Sequence, residues 1–265
     1  MIPAVRWSPF LRWFARHATG RLRESFAAVH VRGLTTLQAA VDEAPTLVVA
    51  NHSSWWDALV ALWLGERCLR GAQTFGMMEA ANLRRLRFFR WAGCFGVDRT
   101  SRRDGARASR YAIDLLQHRG HVVWVFPQGQ EQPPHVPLRF ELGAAGIARR
   151  VPNARVVPVA LAFVFEGDER PHVYVSVGDP LTPEHAADRD MQAQAVDRER
   201  ERIRLQLESR AQGFETLLHS PESKLSGWAT AWLDAVAGWL QPRQIGIRAA
   251  LPEPKRSSAE TTTET

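Results

Sequence analysis

Cysteine is scarce. Cys68 and Cys94 are the only two in 265 residues, and both sit in apolar stretches without metal-ligand spacing, which argues against a disulfide framework and a structural zinc site. Lysine is rarer than arginine throughout, occurring only as Lys224 and Lys255. No window offers the roughly eighteen uninterrupted apolar residues of a membrane-spanning helix. The opening stretch MIPAVRWSPFLRWFARHATGRLR has arginines scattered through it and no apolar segment ahead of a small-residue cleavage site, so it does not read as a secretory signal. A GxSxG elbow is missing, which disfavours a serine hydrolase, and so is a phosphate-binding loop of the GxxxxGKS/T form. There is no internal repeat. These absences leave a protein of a reducing compartment, either cytosolic or lying on a membrane from its cytosolic side.

What is present suits one large globular domain: 45% hydrophobic residues, 23% charged and a net charge of +6. An excess of positive charge favours an anionic partner without naming it. Residues 45 to 181 alternate short β-branched runs with longer helical patterns. Residues 46–50, 73–78, 121–126, 156–165 and 172–177 read as strands, and 55–68, 79–92, 103–118 and 141–150 as helices. Strand and helix in alternation predict an α/β fold, a single domain with a mixed sheet covered by helices. Several strands are nearly all apolar, as expected of a sheet buried on both faces. The charged stretch 185–219 reads as one long solvated helix. The predicted organisation is an amphipathic N-terminal segment over 1–40, a main domain over 41–250 and a disordered, Pro-rich then Ser/Thr/Glu-rich tail over 251–265.

The chemistry centres on Asn51-His52-Ser53-Ser54-Trp55-Trp56-Asp57, directly after the apolar run 46–50. This spacing puts a histidine at the carboxyl end of a strand, where catalytic groups of open α/β sheets collect, and a carboxylate about one and a half helical turns later. An aspartate there can hold one imidazole nitrogen and leave the other as a general base. A surface histidine followed by an ordinary aspartate in the first turn of a helix is the plainer alternative.

The segment NHSSWWD resembles the NHx4D block of the PlsC-type glycerolipid acyltransferases, and three further blocks follow in order. GCFGVDR (93–99) is similar to the second block, FPQG (126–129) with FELGAA (140–145) to the third, and Val157-Pro158-Val159 to the fourth. The resemblance implies transfer of a fatty acyl group from acyl-CoA or acyl carrier protein to an alcohol, with no cofactor and no bound metal. It makes His52 the base that deprotonates the acceptor hydroxyl and Asp57 its orienting partner, and it counts Asn51, Arg99 and Gly129 among the substrate-binding residues. At the two charged positions of the family's FPEGTR pattern the sequence departs: Gln128 stands for its glutamate and Glu131 for its arginine. A carboxylate repels phosphate where an arginine would clasp it, and Arg139 lies close enough in sequence to substitute. The predicted acceptor is a lysophospholipid or related lipid. Gln128, Glu131 and Arg139 complete the predicted substrate-binding set; Gln128 and Glu131 favour as rival acceptor a sugar hydroxyl of a glycolipid or glycosylated terpenoid, in a neutral hydrogen-bonding pocket, and a catalytically silent membrane-binding relative is a second.

Between Asn82 and Arg110 stand nine arginines against Asp98 and Asp104, a platform for anionic donor groups or lipid headgroups, or simply an arginine-rich exposed helix. No nucleic-acid-binding motif accompanies this charge, and aromatic residues are not interleaved with it as a base-stacking platform requires. Two stretches suit a membrane surface. Trp7, Phe10, Leu11 and Phe14 fall on one helical face beside Trp13, with Arg12 and Arg16 opposite. In 223–242, Trp228 and Trp232 share a face with Leu225, Val236 and Trp239. For both, packing on the core is the alternative. The sequence therefore predicts a peripheral enzyme at the cytosolic face of a membrane, with membrane lipids and an acyl thioester as partners and no nucleic acid.

Overall fold

A computed structural model describes residues 1–210 and 213–220. The elements run α1 (Ser8–Ser25), β1 (Ala28–Arg32), α2 (Leu34–Glu43), β2 (Thr46–Ala50), α3 (Trp56–Cys68), β3 (Gln73–Glu79), α4 (Ala80–Arg85), α5 (Phe88–Trp91), β4 (Cys94–Val97), α6 (Arg102–Leu115), β5 (His121–Val125), α7 (Leu142–Arg150), β6 (Arg155–Val164), β7 (His172–Val177), α8 (Pro183–Ala186), α9 (Arg189–Ser209) and β8 (Glu215–His219). The strands form one sheet in the order β4-β3-β5-β2-β6-β7-β1-β8. Neighbours are parallel from β4 through β6. β6 and β7 are antiparallel, β7 and β1 parallel, and β1 and β8 antiparallel. The α/β fold with a mixed sheet is as the sequence predicts.

Alternation along the strands builds two cores. In β2, Val48 and Ala50 join Val122, Trp124 and Val157 beneath α1 to α5, whereas Leu47 and Val49 join Val123, Val125 and Val156 beneath α6 to α9. Successive side chains of a strand point to opposite faces, so a central strand with helices on both sides must be apolar throughout. All five residues of β2 are buried, which is why TLVVA shows no polar alternation.

Four sequence expectations are corrected here. The predicted membrane face of α1 is a core face: Phe10, Leu11, Phe14, Ala18 and Leu22 are buried, and the indole of Trp63 on α3 donates to Thr19 Oγ1 at 2.9 Å. An amphipathic pattern records one dry face, and here the sheet side supplies the dryness. A boundary at residue 40 has no counterpart, because β1 lies inside the sheet between β7 and β8. The predicted helix 79–92 is two short helices, parted at Leu86 and Arg87. The charged stretch 185–219 is not one solvated helix. α9 buries Gln192, Val196, Glu199 and Ile203 along one side and ends at Arg210 in the left-handed conformation (φ 50°), after which β8 joins the sheet edge. Asp188 caps α9, accepting from the amides of Asp190 and Met191 at 2.8 and 2.9 Å. The tail over 251–265 and the Trp228 and Trp232 stretch lie outside the described residues.

Candidate active site

The carboxyl ends of β2 and β5 lie side by side, since Val49 pairs with Val125, and the loops that follow them carry the first and third motif blocks. Asp57 sits in the first turn of α3 and is fully buried. Its Oδ2 accepts from the backbone amides of Ser53 and Ser54 at 2.7 and 2.8 Å and lies 2.8 Å from His52 Nδ1. The carboxylate thus folds the NHSS turn back onto the helix and holds the proton on Nδ1, which leaves Nε2 as the imidazole's basic nitrogen. Asp57 Oδ1 is buried with no hydrogen-bond partner among the described residues, a cost tolerated most readily at functional sites. Four residues separate His52 from Asp57, and the turn they form accounts for the spacing.

The third block braces the same turn. Gln128 is buried; its Oε1 accepts from the backbone amide of His52 at 2.6 Å and its Nε2 donates to Gln132 Oε1 at 2.9 Å. The amide of Gln132 in turn donates to the carbonyl of His52 at 2.9 Å. Phe126 stacks on the His52 ring, with centroids 4.8 Å apart and an interplanar angle of 28°. The second block arrives at Gly129. A Cβ built on that glycine, which has a φ of 72°, would lie 3.1 to 3.2 Å from three atoms of the Arg99 guanidinium. The left-handed backbone favours glycine at this position, and the Arg99 guanidinium lies across it.

The structure brings His52, Asp57, Gln128, Gly129 and Arg99 together, and it changes what two of the predicted binding residues do. The buried amide of Asn51 donates to the carbonyl of Leu161 at 2.9 Å and accepts from its amide at 2.8 Å, continuing the β2–β6 pairing by a side chain, so its polar atoms clamp β2 to β6. Gln128 likewise braces the loop. Glu131 and Arg139 are exposed on the segment 127–141, which is closed by a 2.8 Å bond from the Glu141 amide to the Pro127 carbonyl. Sequence reasoning missed Phe126 and Gln132. Phe126 ends the apolar run of β5, where its position beside a motif histidine could have marked it; Gln132 carries no signal.

A small apolar cavity of about 20 Å³ lies beside the pair, lined by Ala58, Leu62, Met77, Met78, Trp124 and Phe126 among others. The two cysteines take no part in the chemistry. Burial pushes the Cys94 thiol up to about 12 and raises Cys68 as well, which keeps both protonated and unreactive.

A buried carboxylate orienting a histidine at the carboxyl edge of an α/β sheet is an arrangement suited to proton transfer. The family model "Acyltransferase" matches residues 28–162, just over half of the chain, and the chain belongs to that acyltransferase family. In fold it is similar to the 1-acyl-sn-glycerophosphate (LPA) acyltransferase PlsC from Thermotoga maritima, with a TM-score of 0.51 and 19% identity over 75% of this chain and 79% of that one. A comparison with curated proteins gave no match.

Proposed function

We propose that the enzyme moves a fatty acyl group from an acyl thioester, acyl-CoA or acyl carrier protein, to a hydroxyl of a lysophospholipid or related lipid, using no cofactor. The observation that carries this reading is the 2.8 Å contact between His52 Nδ1 and the buried Asp57 carboxylate. His52 Nε2 takes the proton of the acceptor hydroxyl as its oxygen attacks the thioester carbon, the thiolate leaves, and the imidazolium returns the proton to it. A thioester is already an activated acyl donor, so no covalent enzyme intermediate is required. Retention of both residues in working geometry speaks against a catalytically silent relative.

Arg99 supports an anionic acceptor. Its guanidinium lies over Gly129, one turn of loop from His52, and Gln128, the residue that favoured a neutral sugar pocket, is engaged in bracing the loop. Met77 and Met78 on the cavity wall are flexible enough to admit an acyl chain by shifting.

Among the described residues no helix is long and apolar enough to cross a membrane. Peripheral attachment at a cytosolic face is supported by a surface that keeps Trp7 and Trp13 of the predicted set and adds Phe88 and Trp91 in place of the buried Phe10 and Phe14, with exposed Arg84, Arg85 and Arg87 close by in sequence to the added pair. The backbone joins these parts, with the amide of Trp7 bonded to the carbonyl of Trp91 at 3.1 Å. Exposed aromatics near arginine suit an anionic lipid interface.

The test is an acyl-transfer assay with acyl-CoA and acyl carrier protein donors against lysophosphatidate, a lysophospholipid with a larger headgroup and a glycosylated lipid. Transfer to a lysophospholipid, reduced by Arg99→Ala, is expected. Transfer confined to the glycosylated lipid would replace this acceptor by a sugar.

A further inference from the structure

We propose that His30, Glu166 and His172 form a binding site for a divalent transition-metal ion of the zinc class, which clips β1 to β7 and to the β6–β7 connection. The site shares no residue with the His52 turn. His30 lies on β1 beside Tyr174 of β7 in the parallel register, and His172, two residues before Tyr174, shares its face of the sheet. Glu166 comes from the connection after β6. One ligand atom from each of the three lies within 4.8 Å of the others.

The hydrogen bonds around the cluster select the ligand nitrogens. His30 Nδ1 lies 2.9 Å from Thr216 Oγ1, and His172 Nε2 lies 2.5 Å from the Asp168 carboxylate. The carboxylate can only accept, so His172 carries a proton on Nε2 and turns its Nδ1 inward; Thr216 can accept from His30 in the same way. The two inward nitrogens, His30 Nε2 and His172 Nδ1, are 2.9 Å apart, and Glu166 Oε2 lies 3.5 Å from the latter. A proton on one of the two nitrogens closes the 2.9 Å contact, and a cation that displaces it would be held by both imidazoles and the carboxylate. Zinc takes histidine nitrogen and carboxylate oxygen at about 2.0–2.2 Å, a reach met here by small side-chain shifts.

The outer partners are those that orient metal ligands elsewhere: a carboxylate on the far nitrogen of one histidine, a hydroxyl on that of the other, and the Tyr174 hydroxyl donating to Glu166 Oε2 at 2.8 Å. Softness and donor type, two imidazoles with one carboxylate, favour zinc or its neighbours over calcium and magnesium. No local sequence signature announces the site, because its ligands come from positions 30, 166 and 172, and the sequence alone predicts no metal.

The experiment uses tag-free full-length chain stripped with chelator and dialysed, titrated with zinc chloride by calorimetry and followed by thermal unfolding. One tight equivalent is expected, with a rise of roughly 5 to 10 °C in the unfolding midpoint when free zinc is about 100 times Kd. His30→Ala and His172→Ala should each abolish that equivalent. Glu166→Gln, a conservative change at an exposed position, should weaken it at least tenfold even if the alanine variants fold poorly. His118→Ala and His52→Ala should bind zinc as wild type does, which separates this site from the acyl-transfer reading. Absence of a stoichiometric equivalent, or an equivalent that survives all three ligand substitutions, would overturn the proposal.

Discussion

At the residue scale the site depends on a few side chains whose polar atoms are already committed. Gln128 bonds both the His52 amide and Gln132, so Gln128→Glu should disturb transfer through the position of His52, by a carboxylate facing Gln132 Oε1, more than through the acceptor. Glu131 is exposed and available. Glu131→Arg should therefore raise use of lysophosphatidate relative to a neutral acceptor, because a like charge near the phosphate is exchanged for an opposite one. Rates for the two variants on both acceptors check this, and loss of lysophosphatidate use in Glu131→Arg would count against it. The NHx4D spacing made His52 and Asp57 legible from sequence, since the turn is local. The bracing bonds of Asn51 and Gln128 are legible only in the fold, because their partners, Leu161 and the His52 amide, are distant in sequence.

At the element scale, helix identity was legible where apolar periodicity was strong and length was not. β2, β5 and β7 coincide with their predicted runs because both faces of each are covered. β1 and β8 escaped notice: AVHVR and ETLLH are short and partly polar, and β8 follows a helix whose charge pattern continues toward it. The close approach of α3 to β3 gives a stability test. A Cβ at Gly65 would lie 2.0 Å from Thr74 Oγ1, inside a packed core, so Gly65→Ala should lose on the order of 1–3 kcal/mol, readable as a lower denaturant midpoint. For α1 the division of faces sets a second test. The exposed Trp7 and Trp13, not the buried Phe10 and Phe14, face outward, and Trp7→Ala with Trp13→Ala should reduce flotation with anionic liposomes while leaving the unfolding midpoint nearly unchanged. Equal flotation of variant and wild type, at low and high salt alike, would remove the membrane role from this surface.

At the scale of the whole molecule, α1 is part of the fold and not an appendage. It contributes Phe10, Leu11, Phe14 and Leu22 to the core, each worth about 1.5–3 kcal/mol of burial against a total stability of about 5–15 kcal/mol for a typical protein. Removal of residues 1–20 should consequently unfold the protein, as judged by circular dichroism, and a cooperatively folded truncation would show that the packing of α1 contributes little. The two-sided sheet places the loops after β2 and β5 at one edge, and that edge is where the acyltransferase chemistry is assigned. The most direct test of that assignment is the initial rate of acyl transfer from an acyl-CoA to a lysophospholipid, measured for wild type and for His52→Ala at matched folded fractions. A fall of about 10²- to 10⁴-fold, the usual span for a lost general base, is the expected result; transfer near the wild-type rate in His52→Ala would contradict the account.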